Sequence, residues 1–214
     1  MRASLSFQGH PGWGATWRTL GGALVMALAA LAPKAQAAPF AYLTTSGSTV
    51  AVLDLATNAL ASSVTLGPYL AGVAVDGQRA RVYVSATTGR GVTVPKLYVI
   101  DATTRTALTP IDLNGPSGTS WAGVAVSPAG DRVYVANRGS SSITAGYVAV
   151  VDVATGMVMA TVPVGGNASN LVINPQGTRL YVTNAASVSV IDTSTNAVVD
   201  TLPGCVALAI DASG

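Results

Sequence analysis

Glutamate is missing from this 214-residue chain, and its one histidine is His10. Everything after residue 10 therefore lacks the usual zinc ligands, the commonest general base and the usual axial ligand of haem. Oxygen-rich calcium coordination by Asp, Asn and backbone carbonyls is not excluded. No paired carboxylates and no nucleophile motif stand out. The residues thus point to no catalytic group, metal site or cofactor. Cysteine is equally scarce. The lone Cys205 cannot form an intrachain disulfide, and its setting in Cys205-Val206-Ala207-Leu208-Ala209-Ile210 reads as a buried thiol.

Charge is scarce too. Only 9% of residues are charged while half are apolar, against about a quarter charged in an ordinary soluble domain. So little charge implies either a membrane protein or strands buried on both faces. The longest apolar run, Leu20 to Ala32, has thirteen residues. A spanning helix needs roughly 20.

That run has the form of a signal-peptide core. Arg2 and Arg18 precede it, Pro33 ends it, and Ala35-Gln36-Ala37 supplies small residues for cleavage before Ala38. Residues 1–37 are expected to be a leader and residues 38–214 the mature, periplasmic or extracellular part. Beyond residue 37, eight basic residues face nine aspartates, a formal net charge of −1. This lacks the basic footprint of a nucleic-acid binder, and no transmembrane segment is expected there.

What the mature part does have is a repeat. One segment recurs as Ala41-Tyr42-Leu43-Thr44, Val82-Tyr83-Val84-Ser85, Val133-Tyr134-Val135-Ala136-Asn137 and Leu180-Tyr181-Val182-Thr183-Asn184. A second ends on Asp54, Asp101, Asp152 and Asp192. A third, Gly72-Val73-Ala74-Val75-Asp76 and Gly123-Val124-Ala125-Val126-Ser127, then Leu171-Val172-Ile173-Asn174, precedes each later Tyr segment. A fourth spans 60–66, 107–113, 157–164 and 198–203. The Tyr anchors lie 41, 51 and 47 residues apart. Four short β-branched runs per unit, repeated at this spacing, are the signature of an all-β fold of propeller blades. The units run approximately over 40–81, 82–132, 133–179 and 180–214.

Leu180-Tyr181-Val182-Thr183-Asn184, followed by Val188-Ser189-Val190-Ile191-Asp192-Thr193 and Thr195-Asn196, resembles the YVTN repeat of bacterial and archaeal surface or periplasmic β-propellers. The resemblance covers residues 40–214. It implies that the Gly-Val-Ala-Val strand is innermost (A), the Tyr strand B, the Asp strand C and the fourth strand outermost (D). Pro110, Pro163 and Pro203 all fall in the fourth segment, and proline suits an edge strand. The aspartates read as turn formers. The tyrosines, and Arg79 or Arg81 with Arg132 and Arg179, read as repeat-borne structural residues.

The mature part begins on strand B and ends on strand A at Val206 to Ile210. That last strand could complete the first blade, giving four closed blades. Members of the resembling family usually have about seven. A chain truncated at its C-terminus is the favoured expectation, with self-association through open blade edges as its corollary. The extra residues fall in the B–C loops Ala86 to Lys96 and Arg138 to Gly146 and in the D–A loop Asn114 to Trp121. All three lie on one face, which collects Arg90, Lys96, Trp121 and Arg138. These four are the candidate ligand- or partner-binding residues. The expected role is a binding scaffold of the cell envelope, for a protein or small molecule that the residues do not identify. The alternative is part of a propeller enzyme, a quinoprotein-type dehydrogenase, lactonase or lyase, with catalytic residues in missing blades.

Overall fold

Each β-branched run from Phe40 onward forms a strand, because the Asp-, Asn- and Gly-bearing turns between them reverse the chain before a run can lengthen. A computed structural model describes residues 39–45, 47–86, 95–115, 119–139, 145–185, 187–203 and 208–211. The expected leader and its cleavage site, Arg90 and Cys205 lie outside the described residues.

Strands β1 (Phe40–Thr44), β2 (Thr49–Asp54) and β3 (Ala59–Thr65) form the first blade, in that order. The second holds β4 (Leu70–Asp76), β5 (Arg81–Ala86), β6 (Lys96–Asp101), β7 (Thr106–Ala107) and β8 (Ile111–Asp112), with both β7 and β8 pairing β6. The third holds β9 (Trp121–Val126), β10 (Arg132–Asn137), β11 (Tyr147–Asp152) and β12 (Met157–Pro163). The fourth holds β13 (Leu171–Ile173), β14 (Arg179–Thr183), β15 (Ser187–Asp192) and β16 (Ala197–Pro203). Every pairing is antiparallel and follows the order A–B–C–D. Among the described residues there is no helix.

Strand β9 packs beside both β4 and β13, so the A strands line the inner side. Strand β16 is exposed along its whole length, as an outer edge should be. In three blades the C–D pairing shifts register at the same place, at Val52/Leu53, Val150/Val151 and Val190/Ile191. A bulge repeated on the outer strand twists that edge away from a second strand.

Strand alternation sends successive residues to opposite neighbours. Val133 and Val135 pack toward the second blade with Tyr83, Val99 and Trp121. Tyr134 and Ala136, between them in sequence, pack toward the fourth blade with Leu171, Leu180 and Val182. Val82, Val84 and Ile100 pack toward the first blade against Val50, Val52 and Val64. The core is therefore three inter-blade layers, and burial of both strand faces explains why charge is so sparse.

The glycines of the A strands have a packing reason. A Cβ on Gly72 would lie 2.3 Å from the Ala122 carbonyl oxygen, and one on Gly123 would lie 2.6 Å from that of Ser169. Neighbouring inner strands touch backbone to backbone there. The turns behave as the aspartates suggested. Asp54 Oδ1 accepts from the N–H groups of Ala56 and Thr57, Asp101 Oδ1 from Thr103 and Thr104, and Asp192 Oδ1 from Ser194 and Thr195. Four residues after each turn aspartate the backbone is left-handed, at Asn58, Arg105, Gly156 and Asn196.

One expectation changes. The fourth strand of the second repeat is not one strand but two fragments, β7 and β8, separated by Leu108–Pro110. Leu108 still donates to the Val99 carbonyl at 2.8 Å, but Pro110 has no N–H to continue the ladder. Of the last A strand placed at Val206 to Ile210, Val206 and Ala207 lie outside the described residues; Leu208–Asp211 carries no strand, and β1 has no fourth strand beside it among the described residues.

Candidate functional site

The face made by the B–C and D–A loops is tied together by backbone hydrogen bonds that cross between loops. Arg138 follows β10. Its N–H donates to the Ser120 carbonyl at 2.8 Å, and its own carbonyl accepts from the Asn167 N–H at 2.9 Å. The loop before β9 and the loop before β13 are thereby fastened to one residue. Ala185 after β14 donates to Gly166 at 3.0 Å. Underneath, Asn137 Nδ2 donates to Thr119 Oγ1 at 3.0 Å, and Asn137 Oδ1 accepts from the Gly139 N–H at 2.8 Å. Asn184 Nδ2 reaches the Val164 carbonyl at 2.7 Å, which Ser189 Oγ also meets at 3.0 Å. Asn137 ends β10 and Asn184 directly follows β14, where a side-chain amide can satisfy loop groups that no strand partner reaches.

The sequence-selected residues do not converge on one cavity. Trp121 opens β9 and is a core residue, 1% exposed. Its ring meets Tyr147 edge-on, with centroids 5.7 Å apart and planes at 89°. The ring of this candidate binding residue fills the layer between the second and third blades beside Leu113. Burial raises the Tyr147 phenol above its ordinary range. Gly115 passes directly over this pair, where a Cβ would meet the Tyr147 hydroxyl at 2.7 Å and the Trp121 ring at 2.8 Å. Lys96 opens β6 and is ion-paired with Asp112 on β8, toward the outer edge of the second blade. Arg138 keeps its side chain exposed while its backbone is held on both sides. Of the three described candidates, the hydrogen bonds bring Arg138 next to the Trp121 segment and leave Lys96 apart.

Other residues matter that sequence reasoning passed over. Ser85 Oγ accepts from the Gly72 N–H at 2.9 Å and donates to the Ala122 carbonyl of the next blade. Thr44 Oγ1 likewise reaches Ala71 of its neighbour at 3.2 Å. The hydroxyl that ends the Tyr segment in the first two repeats was the signal. Among the described residues no three His, Cys, Asp or Glu side chains gather as a metal site would require. The described part of the face offers a hydrogen-bonded backbone with an exposed guanidinium.

A family model described as "Lactonase, 7-bladed beta-propeller" matches residues 96–197, from β6 to the start of β16. Among solved structures the chain is similar to one described as Kuenenia stuttgartiensis hydrazine synthase, at 20% identity and a TM-score of 0.65. The chain is built of β-propeller blades. That match covers 77% of this chain and 46% of the solved one, so the chain spans a little under half the length of that relative. At this identity the likeness concerns the fold alone. No curated protein matches the sequence.

Proposed function

We propose that these blades form a recognition scaffold that works outside the cytoplasm, with its ligand or partner held on the B–C and D–A loop face. The observation that supports this most directly is Arg138, whose backbone is clamped between Ser120 and Asn167 while its side chain stays in solvent. A cation on a rigid mount loses little freedom when it pairs with an anionic group, so it can contribute to affinity. The near-neutral charge of residues 38–214 disfavours nucleic acid as the partner.

The test places a photo-crosslinking amino acid at position 138 in the full chain expressed in its own host. A discrete adduct in the envelope fraction, lost on Arg138→Asp, supports the reading. Absence of any adduct there, with the protein folded and abundant, overturns it. Export is tested by sequencing the N-terminus of the mature protein. A start at Ala38 is expected, and an intact N-terminus would refute cleavage.

A second reading draws on the family model over residues 96–197. In it the blades belong to a lactone hydrolase whose catalytic groups lie in other blades. Hydrolysis of lactones by the longest natural product of the gene, but not by residues 38–214, is its expected outcome. Inactivity of both removes it.

A further inference from the structure

Three inter-blade boundaries place the first side chain of a B strand beside the C–D turn of the next blade. They are not finished alike. At the first, the Arg105 guanidinium of the second blade lies 4.2 Å over the Phe40 ring. At the third, Arg132 donates to the Thr193 carbonyl. At the second, Arg81 stands in the position of Arg132, since Arg81 pairs with Asp101 as Arg132 pairs with Asp152. Among the described residues Arg81 makes neither a hydrogen bond to the next blade nor an ion pair within 4.0 Å. The space beside it is a cavity of about 460 Å³, on the side of the molecule away from Arg138.

The broken fourth strand opens this cavity. Leu108–Pro110 separates β7 from β8, and the gap is lined by Val99, Leu108 and Ile111 from the second blade and by Val153 from the third. Gly156, left-handed at φ +66°, brings the facing turn near Ile111 without a side chain between them. Asp76 and Asp101 flank Arg81 across the sheet, and each is engaged in its own turn, Asp76 Oδ1 by the N–H groups of Gln78 and Arg79, while the Arg81 charge also acts on Asp101. Asp101 Oδ1 accepts from Thr103 and Thr104, and Asp112 is ion-paired with Lys96. The Arg81 side chain approaches the fully buried Tyr83 hydroxyl, which has no well-formed hydrogen bond.

We propose that this crevice binds a small organic carboxylate, its anionic end on Arg81 and its apolar body against Val99, Leu108, Ile111 and Val153. The planar guanidinium matches a carboxylate in two parallel hydrogen bonds, and the walls offer dispersion contacts to a short chain. The site is independent of the loop face proposed above.

Hexanoate titrated calorimetrically into the full chain is the probe, with hexan-1-ol as the uncharged control. Saturable one-to-one binding of hexanoate is expected. Arg81→Gln should weaken it about tenfold or more, as loss of a charge-assisted pair requires. Arg132→Gln should leave it unchanged. Thr109→Phe, on the exposed strand break, should also abolish it by filling the gap, and this serves if Arg81→Gln fails to fold. Absence of saturable binding, equal binding of hexan-1-ol, or an equal loss in Arg132→Gln would overturn the proposal.

Discussion

The Gly123 N–H donates to the Ser169 carbonyl at 2.7 Å, joining the inner strand of one blade to the segment that enters the next. That contact leaves no room for a side chain. Gly123→Ala would put a methyl 2.6 Å from the same oxygen, and Gly72→Ala would put one 2.3 Å from Ala122. Each is expected to cost about 2 kcal/mol or more, because overpacked backbone cannot move without parting the blades. Gly77→Ala, with no atom within 4 Å of its Cβ position, should stay within about 0.5 kcal/mol of wild type. Urea denaturation of the three variants checks this.

Ser85→Ala should act across the same boundary by a different route. It removes the acceptor of the Gly72 N–H and the donor to Ala122 from a fully buried position. Leaving such groups unpaired costs about 1–3 kcal/mol. A melting temperature equal to that of wild type would show that water replaces the hydroxyl.

Acid should loosen the C–D turns. Asp192 is held at about 2, below the ordinary 3.8, by the Ser194 hydroxyl and N–H, then by the Thr195 N–H and Arg179. Asp101 and Asp152 are lowered as well, chiefly by the N–H groups of Thr104 and Thr155. A carboxyl depressed in the folded state stabilises it fully above the unfolded value. That contribution fades as pH falls from about 4 toward about 2, when the folded carboxyl takes up its proton. Thermal melts between pH 5 and pH 2 should show the fall, and Asp192→Asn should make it smaller. An identical pH profile in that variant would refute the assignment.

Trp121 and Arg138 should separate scaffold from surface. Trp121→Ala empties a buried site packed on Tyr147, at a cost of about 3–5 kcal/mol. Arg138→Ala should change stability by less than about 0.5 kcal/mol, since its exposed side chain is not part of the clamp. Near-UV circular dichroism and urea titration read both.

Much of the blade pattern was legible from residue order. Tyr83 and Tyr134 recur because a B strand must fill the layer toward the next blade, and both are buried there. The turn aspartates recur because each caps the N–H groups that follow it. The burial of Trp121 was not legible: a bulky residue at a loop–strand junction can point either way, and the facing side chains decide. The split of the fourth strand at Leu108–Pro110 was half visible, since Pro110 marked an edge without showing where the ladder stops.

By itself the sequence determined the repeat, the turn chemistry and the shortage of acid–base groups, and its proline positions agreed with the strand order that the resemblance implied. All of these depend on neighbours within a few tens of residues. Only the tertiary structure decided which residues meet across blades: Gly123 against Ser169, Arg138 between two loops, Arg132 bonded to the next blade and Arg81 not. Those contacts depend on how one blade is rotated against the next, and that angle is set by packing of whole faces, which no single repeat encodes.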